Sequence, residues 1–186
     1  MKKRTYLSFL LPFLILAACS SEAAESTGTI EDRAEEVFEA EVAVPEFPEY
    51  PMVSAELVSV PLASSMKLLV NYASEKGALL SEEDIAKYEE NAGSEVIYGV
   101  YESDSSFFNM AYSKTETIRG DGSHETETIN GVDVQYLEAD SGGNDFLMAF
   151  FNADEGSYTF EFALDEDLTR EKAFDMIGKV IQEADM

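Results

Sequence analysis

The spacing of hydrophobic positions changes partway along the chain. Beyond Gly93 apolar and polar residues alternate in short runs at 95–102, 106–113, 115–119, 125–130, 132–137, 146–152 and 157–164, a period of two that predicts strands. Val132, Val134 and Tyr136 share one face of such a strand, as do Tyr158, Phe160 and Phe162. Clusters rich in Gly, Asp, Ser and Asn separate the runs: Asp121-Gly122, Ser141-Gly142-Gly143-Asn144 and Asp154-Glu155-Gly156. Each suits a short hairpin, so the segment predicts an antiparallel meander. The chain then returns to helical spacing, with Thr169 placed to cap a helix and Phe174, Ile177, Val180 and Ile181 forming a stripe. Before Gly93 the pattern is mixed. Residues 52–60 alternate and predict an edge strand; within 64–74, Met66, Leu69, Val70 and Ala73 recur at helical spacing and favour a helix. Ser81 is a helix cap followed by Glu82, Glu83 and Asp84, where negative charge suits the helix dipole, and Gly93 is a stop signal. The fold class expected is α+β: an antiparallel β-sheet meander carrying a C-terminal helix and one or two further helices.

The beginning of the chain follows other rules. Lys2, Lys3 and Arg4 precede an apolar stretch from Tyr6 to Ala18, interrupted only by Ser8 and Pro12. That stretch is shorter than the roughly 20 residues a spanning helix needs and has the layout of an export signal. It ends Leu16-Ala17-Ala18-Cys19, and Cys19 is the only cysteine. These four residues resemble the lipobox of bacterial lipoprotein precursors. The resemblance implies that a signal peptidase recognises Leu16, Ala17 and Ala18, and that Cys19 receives a diacylglyceryl group and becomes the new N-terminus. The expected location is then the extracytoplasmic face of a cell membrane, held by that anchor. Residues 20–50 contain ten acids against one base, Arg33, and Pro45, Pro48 and Pro51 close the segment. Such a composition predicts a largely disordered stalk, with a short helix over 31–40. The organisation expected is a signal peptide at 1–18, a lipid-anchored acidic stalk at 19–51 and one α+β domain at 52–186.

Composition narrows the function. The chain carries 38 acids and 12 bases, a net charge of -26, and without Lys2, Lys3 and Arg4 the balance is 38 against 9, or -29. Nucleic acid is excluded as a partner, because that interaction needs a basic surface to neutralise phosphates. A lone cysteine forms no internal disulfide, and a single histidine, His124, supports neither a Ser-His-Asp triad nor a multi-histidine zinc site. No catalytic residue, metal ligand or cofactor is assigned, and the protein is expected not to be an enzyme. Calcium is the chief chemical alternative, since Asp165-Glu166-Asp167, Asp154-Glu155 and Asn144-Asp145 place oxygen ligands in turns. Arg119-Gly120-Asp121 spells an adhesion tripeptide that backbone needs of a turn explain equally well. The adjacent pairs Phe107-Phe108 and Phe150-Phe151 must point to opposite faces of a sheet. Either both faces are covered or one offers an apolar groove.

The second half carries one further likeness. From Thr128 to Ile181 the order runs Ile129-Asn130-Gly131-Val132, a variable strand, a glycine turn, the aromatic strand Gly156-Ser157-Tyr158-Thr159-Phe160, Leu168-Thr169-Arg170-Glu171, and Ile177-Gly178-Lys179-Val180-Ile181. This resembles the C-terminal half of small extracytoplasmic α+β domains of bacterial lipoproteins and anti-sigma regulators, related to lipoprotein-sorting carriers, and the PsbP-like small lipoproteins. The resemblance implies a fold and no catalytic residue. The function expected is a non-catalytic binding or accessory module of the cell envelope, taking an envelope protein or an apolar ligand. The alternative is an acidic surface protein that binds divalent cations.

Overall fold

The computed structural model describes residues 21–60, 65–103, 106–117, 124–142, 144–184 and 186. An eight-stranded, fully antiparallel sheet holds three helices: α1 (Ser21–Phe38), β1 (Met52–Val60), β2 (Ser65–Ala73), α2 (Glu82–Ala92), β3 (Ser94–Gly99), β4 (Ser106–Ser113), β5 (Glu125–Ile129), β6 (Val132–Ser141), β7 (Asn144–Ala153), β8 (Gly156–Leu164) and α3 (Arg170–Glu183). The strand order is β3-β1-β2-β4-β8-β7-β6-β5. The last four strands are the meander expected from their alternation. Its tightest turn is Asn130-Gly131, both at positive φ (50° and 91°), where an Asn-Gly pair fits without steric cost.

Two strands differ from expectation. Residues 65–73 form β2, not a helix. Leu68, Val70 and Tyr72 alternate into the core while β1 and β4 pair with both edges, so tertiary pairing overrides the helical spacing that the same residues also permit. Residues 52–60 form an interior strand, not an edge, because α2 carries the chain over to add β3 on the far side of β1. The strand expected at 115–119 is absent over 115–117, which leave β4 as irregular chain; 118 and 119 lie outside the described residues. The α2 caps are as read, with Ser81 Oγ accepting from the Asp84 N–H at 3.2 Å and Gly93 at φ 64°. Thr169 likewise caps α3.

One sheet face carries the core. Leu68, Val70, Tyr72, Phe108, Met110, Tyr112, Leu147, Phe151, Tyr158, Phe160 and Phe162 meet Ile177, Val180 and Ile181 of α3 and Ile30, Ala34 and Phe38 of α1. The latter three recur every fourth residue, so one stripe of α1 faces the sheet. Between the two helices runs an irregular strap, residues 39–50. Ala40, Val42, Val44 and Tyr50 are buried within it. From Ile30 onward the segment expected as a disordered stalk is therefore part of the core. Its apolar residues are few, but they are spaced to bury together, which a composition count does not register.

A buried strap without secondary structure needs partners for its peptide groups, and the sheet supplies them through tyrosines. The Ala43 N–H donates to the Tyr158 hydroxyl at 2.8 Å, and the Tyr72 hydroxyl donates to the Pro45 carbonyl at 3.0 Å. Tyr50 donates to the Asp167 carbonyl at 3.1 Å, joining the strap to the turn before α3. Glu31 of α1 accepts from the Val44 N–H at 3.1 Å. Burial pushes the Tyr72 and Tyr158 hydroxyls far above the ordinary tyrosine range, so both stay protonated. Burial also raises the Glu31 carboxyl, partly offset by its bond to Val44 and reinforced by Glu183 and Asp32.

Two predictions follow from the strap. Tyr158→Phe strands the buried Ala43 N–H and destabilises the protein by about 1–3 kcal/mol in denaturant titration. A cost near zero would mean that the strap is not held by this bond. Glu31→Gln keeps an acceptor for Val44 and removes the charge. A carboxyl raised on folding favours the native state below the ordinary carboxylate range and loses that advantage as pH rises through its folded pKa. Melting curves of Glu31→Gln and wild type are thus expected to differ little in acid, with the variant the more stable at neutral pH.

Candidate functional site

Among the described residues the opposite sheet face is covered at its two sides. On one side lies α2, whose Tyr88 hydroxyl donates to Glu56 Oε1 of β1 at 2.7 Å. Glu56 is 2% exposed, and both its Oε2 and the neighbouring buried Ser94 Oγ lack a partner among the described residues. Burial and the Glu56 carboxylate push the Tyr88 hydroxyl up to about 12. On the other side lies the chain between β4 and β5, of which 114–117 and 124 are described. Its first part is pinned by Thr117, whose N–H donates to Asn152 Oδ1 at 2.9 Å and whose Oγ1 bonds Ser157 Oγ at 2.8 Å. At its end the His124 ring stands edge-on to Phe150, centroids 6.4 Å apart.

Among the described residues the middle of the face carries a trough of about 470 Å³. The register shows how it is built. Lys67, Ser113 and Ser157 form one row across β2, β4 and β8; Leu69, Ala111 and Thr159 form the next; Asn71, Asn109 and Glu161 form a third. Small side chains on the central strands make the floor, and Val60 and Ser65 on one side face Thr115, Glu116 and Thr117 on the other. Asn109 Nδ2 donates to Glu161 Oε2 at 3.3 Å. Lys67 is distinctive in so acidic a chain. Among the described residues every other Lys and Arg has a carboxylate within 4 Å, apart from Lys76, which lies over the Tyr98 and Tyr101 rings, 4.0 Å from the centroid of the latter. Among the described residues Lys67 has neither kind of partner. The trough's lining of hydroxyls, an amide, the Lys67 ammonium and two carboxylates can hold a polar ligand by hydrogen bonds and charge.

The residues singled out from sequence distribute as follows. Leu16, Ala17, Ala18, Cys19 and Arg119-Gly120-Asp121 lie outside the described residues. The acidic turns are brought together only in part: Asp154-Glu155 sits at the opposite end of β8 from Asp165-Glu166-Asp167, while Asn144-Asp145 opens β7 beside the latter, Asp145 registering with Leu164. Asp165 Oδ1 accepts from the N–H groups of Asp167 and Leu168, both at 2.7 Å, and so shapes the turn into α3. Among the described residues no group of three or more His, Cys, Asp or Glu could hold a metal ion. Phe150 and Phe151 do point to opposite faces, and both are buried, Phe151 in the core and Phe150 beside His124. The Phe107 side chain lies outside the described part of the structure, and the trough lining joins Ser, Thr, Asn, Lys and Glu to Val60, Leu69 and Ala111. Lys67, Asn109, Thr159 and Glu161 escape a reading of the sequence because the face they share exists only once 65–73 is a strand. The available signal was the small or polar residues Asn109, Ala111 and Ser113, and Ser157, Thr159 and Glu161, at alternate positions of two strands.

No protein-family model matches the chain, and searches of curated proteins and of solved structures give no significant match.

The α2 cover is testable through its one buried polar bond. Tyr88→Phe leaves the Glu56 carboxylate buried with neither oxygen bonded, an expected cost of about 1–3 kcal/mol. An unchanged denaturation midpoint would show that α2 is not held down by this bond.

Proposed function

We propose that this protein is a lipoprotein anchored through a diacylglyceryl group on Cys19 to the extracytoplasmic face of a cell membrane, and that its domain is a non-catalytic binding module of the envelope. The observation that carries the binding reading is the trough: a strip of a well-packed sheet lined by polar side chains, with Lys67 inside it that has no ion-pair partner among the described residues. The basic, apolar and small-residue pattern ending at Cys19 supports the anchor. Among the described residues no helix is long and apolar enough to cross a membrane, so on this reading two acyl chains supply the attachment. The cation-binding reading has no comparable observation behind it, because among the described residues no group of three or more His, Cys, Asp or Glu is placed to hold a metal ion.

On this reading the anchor sits close to the domain. Helix α1 begins at Ser21, two residues beyond Cys19, and Ile30 within it is buried in the core. At about 1.5 Å per residue the helix from Ser21 to Ile30 spans only about 14 Å.

Native mass spectrometry of the full chain, extracted in mild detergent from its own host, tests both halves. The expected spectrum shows a mature chain beginning at Cys19 with the diacylglyceryl mass, which Cys19→Ala abolishes, and a bound ligand mass that Ala111→Trp removes by filling the trough. A chain that retains residues 1–18 overturns the anchor. A ligand mass unaffected by Ala111→Trp and by the alternative block Thr159→Tyr overturns the trough as its site.

A further inference from the structure

We infer that the trough takes an extended zwitterionic peptide of about four residues, its carboxylate on Lys67 and its ammonium on Glu161; this deepens the reading of the trough as a binding site and rests on it. The charges select the ligand class. Lys67 is the cation without an ion-pair or ring partner among the described residues, and Ser65 and Ser113 beside it on the lining add hydroxyls that can donate to an anion. An anion alone is disfavoured, since Glu116 and Glu161 line the same trough and the whole chain carries -26. A ligand with one group of each sign meets Lys67 at one end and Glu161 at the other.

The spacing selects its length. Lys67 registers with Ser113 and Ser157, and Glu161 lies four residues further along β8. Two strand spacings across and four residues along place the two α-carbons about 16 Å apart. A fully extended chain covers about 3.3–3.6 Å per residue, so four to five residues bridge that span. The middle of the trough suits such a chain. Asn109 and Thr159 offer hydrogen bonds to peptide groups, while Ala111 and Leu69 leave room for small side chains.

Isothermal titration of the full chain in mild detergent tests the assignment, with tetraalanine as probe beside its N-acetylated form, its C-terminal amide and inorganic phosphate. Tetraalanine is expected to bind, and amidation to weaken it about tenfold, the loss of one charge-assisted bond. Lys67→Gln should cost tetraalanine the same factor while leaving the amide's affinity unchanged, and Glu161→Gln should do likewise with the acetylated form. Because Lys67 and Glu161 make no core contact, unchanged melting curves for both variants separate lost binding from lost folding. Failure of tetraalanine to bind below about 10 mM, indifference to Lys67→Gln, or phosphate binding as tightly as tetraalanine would each overturn the peptide assignment. If in addition the native ligand mass still responds to Ala111→Trp, the trough remains the site and only the ligand class is wrong; if it does not, both readings fall together.

Discussion

The fold depends on satisfying the backbone of residues 39–50. A dozen residues without helix or strand lie across the core, and a buried peptide group without a partner costs as much as a lost hydrogen bond or more. Tyrosine is suited to this place because its ring fills the core and its hydroxyl reaches the chain above. Tyr72 and Tyr158 stand on β2 and β8, on either side of β4, and each anchors one point of the strap. Phe47 of the strap packs edge-on against Tyr72 and Phe108 between them. Helices α1 and α3 thus lie on either side of a third element that the sheet itself holds in place.

The scarce cations are spent on attachments between elements. Arg170, the first residue of α3, donates to the Tyr136 hydroxyl, lies over the Tyr136 and Phe174 rings, and reaches Glu127 at 3.5 Å and Glu138 at 3.1 Å. Arg33 joins α1 to Glu95 of β3 at 3.0 Å. Lys179 bonds the Glu46 carbonyl of the strap. Exposed pairs of this kind contribute little each, and their value here is in fixing where helices and strap sit on the sheet. Against these attachments Lys67 stands out, since among the described residues it has neither an ion-pair nor a ring partner.

Sequence and fold agree wherever a local signal and the tertiary environment point the same way. The C-terminal helix, the caps at Ser81, Gly93 and Thr169, and the hairpins from β5 to β8 were legible because turn chemistry and alternation need no distant partner. β2 was not, since Met66, Leu69, Val70 and Ala73 fit a helix as well as Leu68, Val70 and Tyr72 fit a strand, and only β1 and β4 decide between them. The strap was hidden more completely. Glu31, Glu35, Glu36, Glu39 and Glu41 make it look like solvated chain, while Ile30, Ala34, Phe38, Val42 and Val44 carry the burial. The trough depended on both elements, and so no candidate ligand-binding residue within it could be named in advance.

The open sheet ends in two strands whose outer edges have no neighbouring strand among the described residues. At one end β5 reads Glu-Thr-Glu-Thr-Ile, with its first four residues exposed. A second copy adding edge to edge would set glutamates near glutamates, where like charges across a strand pair repel. At the other end Glu95 of β3 is paired with Arg33, so there α1 rather than bare charge stands beside the strand. Open sheets invite their own kind to extend them, and an acidic border is a standing barrier to that polymerisation. The negative charge that limits which ligands can approach this protein also keeps its copies apart when they are crowded together.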